Sequence, residues 1–180
     1  VASHDVKKDN PELLREWLSG LYHARVMTLF ERHADLIDIA TLADFAGTAW
    51  TVNAVMLGSP REQPYLLPVG HVMRLFRKVS GTHVAEATSS SGAIEVSASR
   101  ADGKVYVHVV NTDLDSDATI DIDVGGAARS VTCHRINPSI DTGIDSTALD
   151  VFRVGESSEA GLSGLKVPRA SVSAYEIVLA

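Results

Sequence analysis

The sequence predicts a mixed fold, an α/β segment followed by an antiparallel β-sandwich, and three observations carry that expectation. The hydrophobic period changes from helical to two near residue 82. A mostly apolar stretch, residues 36–42, lies between two helical patterns and reads as a strand covered on both faces. From residue 84 onward, short alternating stretches recur with turn residues between them, which is the pattern of a sandwich. Composition divides at the same place. Both tryptophans and all three methionines precede residue 82, and Ser, Thr, Val, Asp and Gly dominate behind it.

The front half opens with a helix signal. Asn10 can cap, Pro11 suits the first helical position, and Glu12 complements the positive end of the helix dipole. Leu14, Trp17, Leu18, Leu21, Arg25, Thr28 and Leu29 keep helical spacing. Leu13, Tyr22, Val26 and Phe30 widen the apolar face, so this helix requires cover on more than one side. Residues 36–42 then read as the buried strand and residues 50–57 as a second extended segment. After a loop with Pro60, Pro64 and Pro68, helical spacing returns in Val69, Val72, Met73, Phe76 and Val79. Arg74, Arg77 and Lys78 lie towards its end and Gly81 stops it.

In the back half Ile94, Val96 and Ala98 alternate with Glu95, Ser97 and Ser99 up to a turn at Ala101-Asp102-Gly103. Val105, Val107 and Val109 alternate with Lys104, Tyr106 and His108 on the return. Ile120, Ile122 and Val124 alternate with Thr119, Asp121 and Asp123 before Gly125-Gly126. Further strands fit residues 131–136, 149–154 and 171–179.

Charge and cysteine content exclude several functions. Net charge is −7, and the 16 basic residues form no run longer than Lys7-Lys8, so no nucleic-acid partner is expected. Apolar runs are only a few residues long, so no membrane span is expected. A single cysteine, Cys133, excludes an internal disulfide framework, and its place in an alternating strand reads as a small buried residue. Asn137 precedes Pro138, so no glycosylation acceptor is usable. The first residues lack a signal-peptide pattern. A reducing, cytoplasmic compartment is the expectation, with export of a longer precursor left open.

Few motifs carry chemistry. Asp113, Asp115 and Asp117 have the spacing that begins a calcium loop. Ala118 and Val124 stand where Gly and a bidentate Glu are needed, so no metal is expected. Asp121 and Asp123 share a strand face and read as the wet side of a sheet, not as a catalytic pair. The seven histidines form no ligand pair, and His23, His33 and His71 are expected to be packed or half-exposed on helices. Ser89-Ser90-Ser91-Gly92 is a polar loop without the context of a nucleophile elbow, and there is no glycine-rich phosphate loop, so no cofactor is expected. Residues 43–50 differ. They leave the carboxyl end of the predicted buried strand, where α/β folds place ligands. Asp44 offers a hydrogen-bonding carboxylate and Trp50 a flat apolar ring, a combination that suits a sugar. The competing reading has Phe45 and Trp50 packing a junction while Asp44 caps the loop.

A family resemblance runs along most of the chain. Leu21-Tyr22-His23-Ala24-Arg25 through Phe30-Glu31-Arg32-His33-Ala34-Asp35-Leu36-Ile37-Asp38-Ile39-Ala40 resembles the last helix-to-strand passage of glycoside hydrolase family 51, the α-L-arabinofuranosidases. Residues 50–56, the helix of residues 68–76, Ser97-Ala98-Ser99-Arg100, Asp102-Gly103-Lys104 and Val109-Val110-Asn111 continue it in the same order. Val167-Pro168-Arg169-Ala170-Ser171-Val172 resembles that family's final strand. The resemblance implies a (β/α)8 barrel followed by a jelly-roll-like sandwich. Residues 1–81 would then be the C-terminal end of the barrel and residues 82–180 the sandwich. A complete barrel needs about 250 residues, far more than the front half holds.

Members of that family release terminal arabinofuranosyl residues from plant polysaccharides with retention, using two glutamates about 5 Å apart. Those glutamates lie on barrel strands four and seven, upstream of everything matched here. The resemblance therefore implies no catalytic residue in this chain, and a chain inactive by itself. Glu16-Trp17 resembles the nucleophile's Glu-Trp pair but lies inside the first helix signal, away from strand ends, and is set aside. Asp44 falls where the family carries a substrate-contacting Gln, a departure that leaves the sugar open. The implied partners are an arabinose-containing oligosaccharide or polysaccharide and the N-terminal barrel portion, and a homo-oligomer is compatible with them. Two other readings stay open: a non-catalytic carbohydrate-binding or structural sandwich module, and a related retaining hydrolase acting on another sugar.

Overall fold

The computed structural model describes residues 14–41, 45–47, 54–58, 63–144 and 148–180. Among them are two helices, here α1 (Trp17–Arg32) and α2 (Pro68–Lys78), and eleven mostly antiparallel strands. The predicted capping residues Asn10, Pro11 and Glu12 lie outside the described residues. No helix among those described is long and apolar enough to cross a membrane.

Helix α1 buries Trp17, Gly20, Leu21, Ala24 and Thr28, one stripe at helical spacing. Thr28 fits the stripe because its hydroxyl donates to the Ala24 carbonyl at 2.8 Å. Beyond the helix the structure differs from expectation. Residues 36–41 form no strand, and Leu36 and Ile39 are 79% and 82% exposed. A central parallel strand needs a hydrogen-bonding neighbour and cover on both faces, and no described strand pairs with this stretch. The next elements are short: β1 (Ala46–Gly47), β2 (Val55–Met56) and β3 (Tyr65–Leu66), with β1 parallel and β3 antiparallel to β2. Of the predicted segment 50–57, only 54–57 is described, and β2 lies in it. Helix α2 starts on Pro68 and ends on Arg77 and Lys78, as the sequence signals require.

The main sheet has six strands in the order β4-β5-β6-β11-β8-β9, all antiparallel. They are β4 (His83–Ala85), β5 (Ile94–Ala101), β6 (Lys104–Asn111), β8 (Ala128–Ile136), β9 (Gly155–Glu159) and β11 (Ser171–Leu179). The β5–β6 turn places Asp102 at φ 52° and Gly103 at φ 74°, the two left-handed residues of a tight hairpin. Gly81 is needed for a different reason: an added Cβ would meet the Arg100 backbone at 2.4–2.6 Å. Strands β7 (Ala118–Ile120) and β10 (Leu165–Val167) form a separate ribbon.

The helices pack on one face of the six-stranded sheet and the ribbon on the other. One core cluster gathers Trp17, Leu21, Leu75 and Phe76 from the helices with Val110, Ile136, Val172 and Ala174 from the sheet. The second gathers Val109, Val131, Cys133, Tyr175 and Ile177 with Leu165 and Val167 of the ribbon. Period-two alternation usually sends the polar set to water. Here the polar set of β5 and β6 lies beneath α1 instead, and Ser97 and His108 are fully buried.

Two predicted strands changed. Residues 149–154 form none, because Phe152 turns inward as a plug, fully buried against Trp17 and His71. The stretch alternating from Thr119 to Val124 is a strand only through Ile120.

Candidate functional site

The two predicted sugar-contacting residues, Asp44 and Trp50, lie outside the described residues. Their described flanks stand side by side. The Phe45 carbonyl accepts the Ala54 and Val55 amides at 2.9 and 3.0 Å, and the Gly47 carbonyl accepts that of Leu57 at 2.9 Å. Helix α2 closes on this patch from beneath. The Ala54 carbonyl accepts the Leu67 amide at 3.0 Å, and a Cβ on Gly70 would lie 2.3 Å from that same oxygen. Only glycine permits the approach. Phe45 is half-exposed at the patch.

A polar cluster beneath α1 has no counterpart among the predicted sites. Glu31 Oε2, near the end of α1, accepts from Ser97 Oγ at 2.5 Å and from His108 Nδ1 at 2.8 Å. The His108 ring stacks on Phe76 with centroids 3.9 Å apart, and its Nε2 has no hydrogen-bond partner among the described residues. Arg25 and Arg32 extend the strip, both reaching Glu95, at 2.7 and 3.9 Å. Its chemistry is that of a strut. The carboxylate holds both the hydroxyl and the imidazole, so the imidazole's Nδ1 proton is committed to Glu31 and His108 is not poised as a base on Ser97. The available signal was the Arg25, Thr28, Arg32 spacing, a polar line on an otherwise apolar helix. Its partners lie more than sixty residues away. Glu31→Ala is expected to cost about 2–3 kcal/mol, measured by urea unfolding, because His108 loses its acceptor while fully buried. Glu31→Gln, which keeps one acceptor oxygen, is expected to recover part of that loss.

The remaining candidates resolve into structural roles. Asp113 Oδ1 accepts the amides of Asp115 and Ser116 at 2.8 and 2.9 Å, bonds that hold its carboxyl below the usual range. Asp117 accepts the Arg169 amide, Asp121 that of Gly164 and Asp123 that of Gly125, so each carboxylate fastens a turn. Among the described residues no group of three or more His, Cys, Asp or Glu could hold a metal ion. Cys133 is buried, and burial pushes its thiol up. Its neighbour Tyr175, whose hydroxyl accepts from Arg135 Nη2 at 3.0 Å, is raised to about 12 by burial above all. His71 is buried and its pKa falls to about 4, first through burial and then through Arg74, whose Nη2 donates to Nδ1 at 3.2 Å. His23 donates from Nδ1 to the Ser19 carbonyl at 2.7 Å and is lowered by burial. His33 ends α1, exposed. Glu16 is the N-cap residue of α1 and bridges Gly143, while Trp17 is buried, so the pair set aside above is structural.

One surface is left uncovered. Leu18, Tyr22, Leu29 and Phe30 of α1 are exposed, and the apolar residues continue through Leu36 and Ile39 to Phe45. Scattered exposed apolar residues are ordinary, but a run along one helix and its exit marks a contact surface.

Fold and side chains together define a β-sandwich module with two helices packed on one face. The chain belongs to the family described as the α-L-arabinofuranosidase C-terminal domain, which matches residues 2–150. That agrees with the resemblance to glycoside hydrolase family 51. Solved structures share the fold. An α-L-arabinofuranosidase from Thermotoga maritima in complex with arabinose is 15% identical with a TM-score of 0.76, over 91% of this chain and 39% of that one. An arabinose-bound family 51 α-L-arabinofuranosidase is 18% identical with a TM-score of 0.79, over 92% and 28%. The family 51 arabinofuranosidase from Xanthomonas axonopodis pv. citri is 19% identical with a TM-score of 0.73, over 91% and 36%. This chain therefore spans 28–39% of the length of those structures. None of the curated proteins matches it.

Proposed function

We propose that this chain is the C-terminal portion of a retaining glycoside hydrolase that removes terminal arabinofuranosyl residues from plant polysaccharides. In this reading residues 1–81 complete a (β/α)8 barrel and residues 82–180 brace it as a sandwich. The two catalytic glutamates reside in polypeptide outside these 180 residues, and Asp44 and Trp50 line one edge of the sugar pocket. The single observation that supports it best is the uncovered apolar run from Leu18 to Phe45. A neighbouring layer of barrel strands and helices would bury that run, and it would give residues 36–42 the hydrogen-bonding partners a parallel strand needs. An arabinose-containing oligosaccharide or polysaccharide is the substrate class this implies.

The test is turnover of an aryl arabinofuranoside. The 180-residue chain alone is expected to show none, and the longer polypeptide that contains it is expected to be active. Within that longer polypeptide, Asp44→Ala is expected to raise KM at least about tenfold, the loss of one charge-assisted hydrogen bond. Turnover by the isolated chain, or an Asp44→Ala variant with unchanged KM, would contradict the reading at the corresponding step.

A further inference from the structure

Beside the last two turns of α2 the surface sinks into an open hollow of about 460 Å³. Small-molecule sites span about 300–1,000 Å³, so the size is that of an ordinary site. Leu75 and Val154 supply the apolar lining. Arg74 and Lys78 come from α2, and Asp150 and Arg153 from the stretch that carries the Phe152 plug.

The charge of the hollow is opposite to that of the chain. Three cations and one carboxylate line it, whereas the 180 residues carry a net −7. The dipole of a helix accounts for Arg77 and Lys78 in its last turn. It does not account for Arg74, a turn earlier, or for Arg153, which lies on another segment. Arg74 and Lys78 are four residues apart on one helix face, a spacing at which like charges destabilise. Among the described residues neither pairs with a carboxylate, and Asp150 is engaged by Arg153 Nε at 2.8 Å. An anion between these cations would offset their repulsion.

The Arg74 guanidinium is held ready. Its Nη2 donates to His71 Nδ1 at 3.2 Å, and the buried His71 ring packs edge-on against Phe152. A fork fixed at one nitrogen keeps its other N–H donors for a ligand, and guanidinium forks match the planar carboxylate. Asp150 retains an oxygen beyond the one that Arg153 engages, and that oxygen can accept from hydroxyls. A carboxylate that also carries hydroxyls is an acidic sugar. No Trp, Tyr or Phe lines the hollow, so charge and hydrogen bonds would carry the recognition without ring stacking.

We infer that the hollow between Arg74, Lys78 and Arg153 binds the carboxylate of a uronic acid unit. This place is separate from the patch that flanks Asp44, which meets the first turn of α2 at Leu67 and Gly70. The inference deepens the proposed function and rests on it, because it takes the acidic unit to belong to the polymer that loses its arabinofuranosyl groups.

Titration of the longer polypeptide with glucuronate, glucose and inorganic phosphate tests it, followed through the methyl NMR signals of Leu75 and Val154. Glucuronate is expected to bind at least about tenfold more tightly than glucose, the worth of one charge-assisted hydrogen bond. Arg74→Gln and Lys78→Gln are each expected to weaken glucuronate about tenfold and to leave turnover of an aryl arabinofuranoside unchanged. Lys78 is exposed and holds no other described residue, so its variant separates binding from folding. Equal affinity for glucuronate and glucose in a polypeptide with that turnover would sink the site and leave the glycosidase reading standing. Phosphate bound as tightly as glucuronate would show a site for any small anion, which also overturns the inference. Charge-dependent glucuronate binding without arabinofuranoside turnover would uphold the site and overturn the glycosidase reading.

Discussion

Trp17→Ala is expected to destabilise the chain by about 3–5 kcal/mol, the range for truncating a fully buried large aromatic. The indole is completely buried and packs on Phe152 with ring centroids 5.5 Å apart. Gly20 makes room for it, since a Cβ there would lie 2.8 Å from the ring. Its backbone amide donates to the Thr142 carbonyl at 2.9 Å, and its Nε1 donates to the Ala170 carbonyl. Ala170 sits at φ 47°, a conformation that costs a non-glycine residue energy and persists only when its neighbours fix it. The Ala170 amide is held by the Asp113 carbonyl at 2.8 Å, so Trp17 holds the other half of that peptide pair. One side chain thus joins the start of α1, the loop carrying Phe152 and the entry to β11. Trp17→Phe separates the contributions: it keeps most of the packing, leaves the Ala170 carbonyl without its donor, and is expected to cost about 1–3 kcal/mol. Urea unfolding followed by circular dichroism reads both. A loss below about 1.5 kcal/mol for the alanine variant would show that the surrounding layers collapse into the cavity.

The sequence made the regular elements legible where local rules decide them. Pro68 and the basic residues before Gly81 mark α2, and the β5–β6 hairpin follows from alternation on either side of Asp102-Gly103. Period shows which residues share a face, but not what covers that face. Ser97 and His108 alternate like residues facing water, yet α1 lies over them, and Glu31, their shared partner, is 66 and 77 residues away. Residues 149–154 are rich in strand-forming apolar residues, but Phe152 plugs the space beside Trp17 and the segment pairs in no sheet. Strand β9, Gly-Glu-Ser-Ser-Glu, has no apolar residue to announce it, since it is an almost wholly exposed edge. The stretch 36–41 carries the composition of a buried strand without the neighbours that would bury it. For the sugar site, Asp44 and Trp50 lie outside the described residues, so their pairing still rests on the resemblance and on the flanks that β1 and β2 hold together.

Acidification is expected to weaken the fold through His71. In the folded chain its pKa is about 4, against 6.5 for the free side chain, because burial disfavours the charged ring and Arg74 adds repulsion. The unfolded chain therefore takes up this proton at higher pH than the folded one. Above about pH 6.5 both states hold a neutral ring and the contribution is complete. It drains away as pH falls from about 6.5 towards 4, and below that both states are protonated. The loss over that window is about 3 kcal/mol, to which the fall from 6.5 to about 4 converts; that value already includes the opposing attraction of Asp150. His23, also lowered by burial, acts in the same direction, and the depressed carboxyls of Asp113 and Asp141 act at lower pH. A double difference isolates His71. The urea stability of the native chain is measured at pH 7 and pH 4.5, and that of His71→Asn at the same two values. The variant is expected to be less stable at pH 7, since Phe152 and Arg74 lose a partner, and to lose less than the native chain on acidification. Equal acid losses in the two proteins would mean that the His71 ring reaches water in the fold. That would undo the packing of Phe152 against it, and with it the account of why residues 149–154 form a plug and not a strand.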